Sequence, residues 1–212
     1  MIIQWYGQSC FKITSGETTI AVDPYDKKTG FTPPRFQADL TLLTHQHFDH
    51  SNSASIGGDP FVISGPGEYE VKGVYVHGFE CYHDKSKGRE RGMNTMYKIE
   101  MEGIRLLHMG DFGEETLSEE YLDEIGEVDI LLIPVGGKYT IDGNEAAKIV
   151  KQLEPKIVIP MHYQLAGLKT KLEGLDKFLK AIGQKNKEPL PKLIVKRKDL
   201  SSEGMEIVIL KP

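Results

Sequence analysis

The chain's 212 residues are 39% hydrophobic and 27% charged, the composition of an ordinary globular domain long enough to bury a substantial core. No apolar run approaches the roughly 18 residues of a membrane span, and no basic start leads into a long apolar segment, so one cytoplasmic domain over residues 1–212 is expected. The two cysteines, Cys10 and Cys81, lack metal-ligand spacing and form no disulfide framework; both read as reduced, structural thiols.

From the start of the chain, short strand-like runs follow one another: Ile2 to Tyr6, Cys10 to Thr14 and Thr18 to Val22, with Ser15-Gly16-Glu17 suited to a hairpin between the last two. Ala38 to Leu43 reads as a buried strand. Phe61 to Ser64, Tyr69 to Val71 and Val74 to Phe79 are further strands, punctuated by Gly65-Pro66-Gly67 and Lys72-Gly73. In the second half, strands alternate with helices. Ile104 to Leu107, Asp129 to Ile133 and Lys156 to Pro160 read as strands, Leu117 to Ile125 and Asn144 to Leu153 as helices. Thr116 with Glu119, and Asp142 with Glu145, have the spacing of N-terminal capping boxes.

The net charge of −5 hides a lysine-rich stretch, Lys169 to Lys198, set against an acidic remainder. Leu172, Leu175, Leu179 and Ile182 recur there at helical spacing, so its lysines read as the solvated face of an amphipathic helix, and a nucleic-acid partner is disfavoured. Strand-rich halves with interspersed helices fit stacked sheets covered by helices.

The chemistry concentrates in Thr44-His45-Gln46-His47-Phe48-Asp49-His50, where three imidazoles and a carboxylate fall within six positions of a chain that holds seven histidines. The spacing H-x-H-x-D-H on a loop after a buried strand is that of a metal cage. Alternate side chains on such a loop point the same way, so His45 and His47 can grip one ion while Asp49 and His50 face another. Other strand ends carry further candidates: His83-Asp84 beyond Phe79, His108-Met109-Gly110-Asp111 beyond Leu107, and Met161-His162-Tyr163 beyond Pro160. His77 competes with His83, but it lies inside its strand, whereas His83 lies past the end. His108 reads as a packed or supporting histidine. Asp111 could cap the helix that follows, yet a carboxylate is also the group best suited to span two cations.

With these residues in view, the sequence resembles the metallo-β-lactamase superfamily, and more closely its branch of small, general metal-dependent hydrolases. The resemblance runs through Gly7-Gln8-Ser9-Cys10-Phe11, Val22-Asp23-Pro24, His45 to His50, Gly88, Gly92-Met93-Asn94-Thr95, His108-Met109-Gly110-Asp111, Pro134-Val135-Gly136-Gly137 and Ile159-Pro160-Met161-His162-Tyr163. It implies an α/β fold, an αββα sandwich of two mixed β-sheets with helices on the outer faces. It implies that His45, His47 and His83 hold one ion, that Asp49, His50 and His162 hold a second, and that Asp111 bridges both. Asp23 would support the site, and His108 would stay outside the ligand set. Ser53 falls where relatives often have glycine, so the turn leaving the cluster differs while no ligand is lost. Room is lacking for the inserted domain of the RNA- and DNA-cleaving branch and for the helical domain of the glutathione-thioester hydrolases.

A dinuclear-metal-bound hydroxide acting on a small ester, lactone, amide or phosphodiester is therefore expected, with two divalent ions, zinc first and manganese or iron as alternatives. Asp49 would orient the hydroxide and move its proton. A di-iron redox or oxygen-handling protein and a nucleic-acid-processing protein are the alternatives on the same fold. The segment Asp84-Lys85-Ser86-Lys87-Gly88-Arg89-Glu90-Arg91-Gly92 sets four cations beside His83, so Arg89 or Arg91 could pair with an anionic small-molecule substrate, on a loop whose glycines allow movement.

Overall fold

In a computed structural model, which describes residues 1–185, 187–201 and 204–212, the strands in chain order are β1 (Ile2–Trp5), β2 (Phe11–Ser15), β3 (Thr18–Val22), β4 (Leu40–Leu42), β5 (Phe61–Ile63), β6 (Gly67–Val71) and β7 (Val74–Tyr82). They continue with β8 (Met93–Met101), β9 (Ile104–His108), β10 (Ile130–Pro134), β11 (Ile157–Met161), β12 (Leu193–Ile194) and β13 (Glu206–Ile207). The helices are α1 (Glu119–Ile125), α2 (Gly143–Leu153) and α3 (Leu175–Ala181). One sheet has the order β12-β1-β2-β3-β4-β5 and the other β13-β11-β10-β9-β8-β7-β6. Both are mixed: β3, β4 and β5 run parallel in the first, as do β9, β10, β11 and β13 in the second. This is the αββα sandwich that the sequence leads one to expect. Its helices are few and come from the second half of the chain.

Burial explains which runs became which strands. β2 alternates buried and half-buried residues, as a strand with one face on the core should. Every residue of β10 and β11 is buried, the continuous apolar pattern of parallel strands covered on both sides. Parallel neighbours cannot be joined by a tight turn, so β3 to β4 and β4 to β5 are linked by long crossovers, residues 23–39 and 43–60. The second crossover carries the histidine-rich loop. The hydroxyl of Tyr97 on β8 donates to the Leu43 carbonyl at 3.0 Å, which pins the start of that loop to the opposite sheet.

Three local readings need correction. β8 escapes the strand pattern because buried Asn94 and Thr95 break the apolar run; their bonds, not their hydropathy, hold them inside. α1 is capped by Ser118, which accepts the Tyr121 amide at 3.2 Å, not by Thr116. By contrast, the Asp142–Glu145 capping box of α2 is complete. The lysine-rich stretch folds as helix only over α3; the Leu172 amide is taken by Gln164 Oε1 at 2.9 Å, so Leu172 stays outside. Asn186 of that stretch lies outside the described residues. Among the described residues, no helix is long and apolar enough to cross a membrane.

Candidate metal centre

The candidate ligands all leave the C-terminal ends of strands that the two sheets bring to one edge. The loop after β4 supplies His45, His47, Asp49 and His50; His83 follows β7, Asp111 follows β9, and His162 follows β11. The ligand atoms of three overlapping sets, His45 with His47 and His83, His45 with His50 and Asp111, and Asp49 with His50 and His162, lie within 4.8 Å of one another. Backbone strain marks the same place. Gln8, Asp23 and His162 sit at φ near +50°, a left-handed conformation that costs a non-glycine residue on the order of 1–3 kcal/mol and persists only where its surroundings enforce it.

Asp23 enforces much of this. Fully buried, it accepts the Thr44 amide, the Thr44 hydroxyl and His50 Nδ1, each at 2.8 Å. The Thr44 hydroxyl lies 3.0 Å from His45 Nδ1 and, having given its proton to Asp23, can only accept there. Both imidazoles thus carry their proton on Nδ1 and turn Nε2 toward the centre, the outer-shell arrangement that prepares histidine for a metal. Asn94 does the same for the second sheet: it donates to the Met109 carbonyl at 2.9 Å and accepts the Asp111 amide at 3.0 Å.

Asp111 Oδ2 lies 3.3 Å from His50 Nε2, 3.4 Å from His83 Nε2 and 3.5 Å from His162 Nε2. Charge-assisted hydrogen bonds run at about 2.7–2.9 Å. Two ligands sharing one tetrahedral ion at 2.0–2.1 Å are instead separated by about 3.3–3.4 Å. The spacing is that of co-ligands. Moreover, His45 Nε2, His50 Nε2 and both ring nitrogens of His83 are buried without a hydrogen-bond partner, which native interiors tolerate only where another group satisfies them. The donor set fits divalent metal.

The electrostatics agree. Burial holds His45 well below the usual histidine range, and His50 pushes the same way; burial also lowers His47 and His83. These rings are neutral at pH 7, the form that binds a cation. Burial would also lower His50, but the carboxylates of Asp111, Asp49 and Asp23 raise it well above that range. Asp111, which burial would raise, is held far below the carboxylate range by His162, His50 and His83.

A beta-lactamase superfamily domain matches residues 2–162, three quarters of the sequence. The chain belongs to the metallo-β-lactamase superfamily. Superfamily members similar to it include a UPF0173 metal-dependent hydrolase of Thermococcus onnurineus, 31% identical over 192 residues that cover 76% of this chain and 84% of the relative. A candidate Zn-dependent hydrolase of the superfamily from Thermotoga maritima is 35% identical in its crystal structure, with a TM-score of 0.81 and coverage of 99% and 97%. This superfamily protein is accordingly a metal-dependent hydrolase. A diiron β-hydroxylase from Streptomyces venezuelae is 16% identical, with a TM-score of 0.56 over 76% of this chain and 44% of the other, and shares the fold alone.

Of the other candidates, His77 packs against Phe79 within β7, away from the centre, and His108 donates from Nε2 to the Ser9 carbonyl at 2.8 Å while its Nδ1 accepts the Gly110 amide at 3.1 Å. Arg91 lines the metal cavity with His47, Asp49, His83 and Asp111, whereas Arg89 is exposed and lines no part of it. The loop that carries both is anchored rather than free to swing: the Asp84 carboxylate accepts the amides of Ser86, Gly88, Glu90 and Arg91 at 2.8–3.1 Å. Two further residues at the site carry no ligand-type signal in the sequence, although Gln8 falls within the run Gly7 to Phe11 that carries part of the resemblance. Gln8 reaches Asp49 Oδ2 at 3.4 Å and His162 Nε2 at 3.5 Å, and Tyr139 lines the same cavity as His47, Phe48 and Asp49; neither belongs to a ligand-type motif.

Proposed function

We propose that the chain is a single-domain, dinuclear metal hydrolase of small esters, lactones, amides or phosphodiesters. His45, His47 and His83 hold one ion, Asp49, His50 and His162 hold the other, and Asp111 joins both. The observation that supports this most is the 3.3–3.5 Å spacing of Asp111 Oδ2 from three imidazole nitrogens, too long for ion-paired hydrogen bonds and right for shared ligation. Imidazole and carboxylate donors without sulfur suit zinc, with manganese or iron as alternatives.

When bound, the pair of cations supplies Lewis acidity and a water acidified toward a pKa of about 7. The chain's own groups do the rest. Asp49, its side chain 16% exposed, is the ligand carboxylate that opens to the cavity, with Gln8 steadying its Oδ2. It takes the proton of the attacking water and returns it to the leaving oxygen or nitrogen. The water oxygen bonds to the acyl carbon or phosphorus as the bond to the leaving atom breaks. Asp23 and Thr44 keep His50 and His45 in the binding tautomer throughout.

Elemental analysis after zinc reconstitution tests the reading: about two ions per chain are expected, and Asp111→Asn should lose most turnover of a 4-nitrophenyl ester while remaining folded. Occupancy fixed near one ion would defeat the dinuclear reading. Unchanged turnover in Asp111→Asn would remove the bridge. Retained iron with a visible absorption band and no hydrolysis would replace the proposal with redox chemistry.

A further inference from the structure

The metal cavity, about 170 Å³, shares Arg91 and Tyr139 with a neighbouring cavity of about 290 Å³. The Arg91 guanidinium lies over the Tyr139 ring, 3.7 Å from its centroid, and Lys138 Nζ approaches the same ring at 5.0 Å. Among the described residues, no carboxylate lies within ion-pair distance of either cation. Of the acidic groups nearby, Asp49 and Asp111 belong to the candidate ligand set, Asp84 is engaged by four backbone amides, Glu90 by the Ser86 hydroxyl at 2.7 Å, and Glu145 by Lys85 and the cap of α2. In a chain of net charge −5, Arg91 at the metal cavity and Lys138 at the neighbouring one have no carboxylate partner among the described residues. An anion entering beside them would gain a charged partner.

We propose that Arg91, held by stacking on Tyr139, is the specificity-determining residue of the metal centre, and that it selects substrates carrying a carboxylate or phosphate remote from the bond cleaved. The inference deepens the hydrolase reading above and rests on it for the position of that bond. Arg91 lines the small cavity together with the ligands His47, Asp49, His83 and Asp111, so one small substrate can meet both the metal centre and the guanidinium. The part of the substrate beyond the anion extends into the second cavity. The planar guanidinium fork suits a bidentate oxyanion, and the tyrosine face fixes its plane before the ligand arrives, which removes part of the ordering cost. Asp84 contributes in the same way by tying the Arg91 amide at 2.8 Å. Phe48, 44% exposed on the rim of the same cavity, offers the apolar contact for the carbon skeleton between the two ends.

The test is calorimetric binding of glutarate, of inorganic phosphate and of neutral dimethyl glutarate to the full chain, zinc-loaded and metal-free, in wild type, Arg91→Ala, Arg91→Lys and Tyr139→Leu. Wild type should prefer an anion to the diester. Arg91→Ala should weaken anion binding about tenfold or more, as expected for loss of a charge-assisted bond, Arg91→Lys less, and Tyr139→Leu a few-fold; the diester and the zinc content should not change. Glutarate and phosphate distinguish carboxylate from phosphate recognition. Equal anion affinity in wild type and Arg91→Ala, or no preference for an anion over the diester, overturns the proposal. Failure to bind zinc, manganese or iron defeats the dinuclear hydrolase reading instead, and the metal-free comparison of wild type with Arg91→Ala and Tyr139→Leu still decides the role of Arg91.

Discussion

Replacing Asp23 by asparagine separates the support of the metal centre from the centre itself. The carboxylate accepts three bonds at 2.8 Å, one on Oδ1 from the Thr44 amide and two on Oδ2 from the Thr44 hydroxyl and His50 Nδ1. An amide in its place keeps the first, but its NH2 then faces a hydroxyl and an imidazole N–H that both donate. The economical escape is for His50 to accept on Nδ1 and carry its proton on Nε2, the atom 3.3 Å from Asp111. That nitrogen then has no lone pair for a metal. Zinc affinity should fall by about 10- to 100-fold, while the metal-free protein loses only about 1–3 kcal/mol, the cost of one or two buried bonds. Asp23→Ala strands all three donors and should cost about 3–5 kcal/mol. A competition titration against a chromophoric chelator gives the first quantity and urea unfolding of the metal-free variants gives the second. Wild-type zinc affinity in Asp23→Asn would refute the tautomer argument.

Two further outcomes follow from packing and charge. A Cβ on Gly136 would overlap the His162 carbonyl oxygen, a backbone atom that cannot step aside, so Gly136→Ala should lower stability by about 1–3 kcal/mol or more and reduce zinc stoichiometry with it, read by thermal melting and elemental analysis. Away from the centre, burial would raise the Asp129 carboxyl, but bonds from the Arg105 side chain at 3.0 and 3.1 Å, from its amide at 2.9 Å and from Arg197 at 2.9 Å hold it below the ordinary range. Its folded pKa is therefore lower than its unfolded one. The stabilisation is complete above about pH 4 and is lost as pH falls through the folded value, so urea unfolding of the metal-free protein should show the gap between wild type and Asp129→Asn shrinking as pH falls below about 4. A constant gap between them would contradict the assignment.

The histidine loop was legible because its information is local: four donor side chains within six residues admit few other uses, and the strand before it is a plain apolar run. Strand positions were legible for the same reason, since alternation in β2 and unbroken burial in β10 and β11 are written in neighbouring residues. His83, Asp111 and His162 could be named only because each follows a strand end; their convergence with the loop depends on which strands run parallel and in which order. β8 was hidden where Asn94 and Thr95 spend buried positions on hydrogen bonds to distant backbone, and the cap of α1 turned on which of two nearby hydroxyls meets the Tyr121 amide.

The sequence by itself determined the donor chemistry, most of the longer strands and helices and the left-to-right order of the ligands, because each depends on residue type and short-range periodicity. Only the tertiary structure decided that Arg91 and not Arg89 reaches the cavity, that Asp84 ties their loop down, and that Gln8 and Tyr139 belong to the site. These depend on distances between segments brought together by sheet order and by the turn geometry of single residues. Such distances have no period in the chain for a sequence to display.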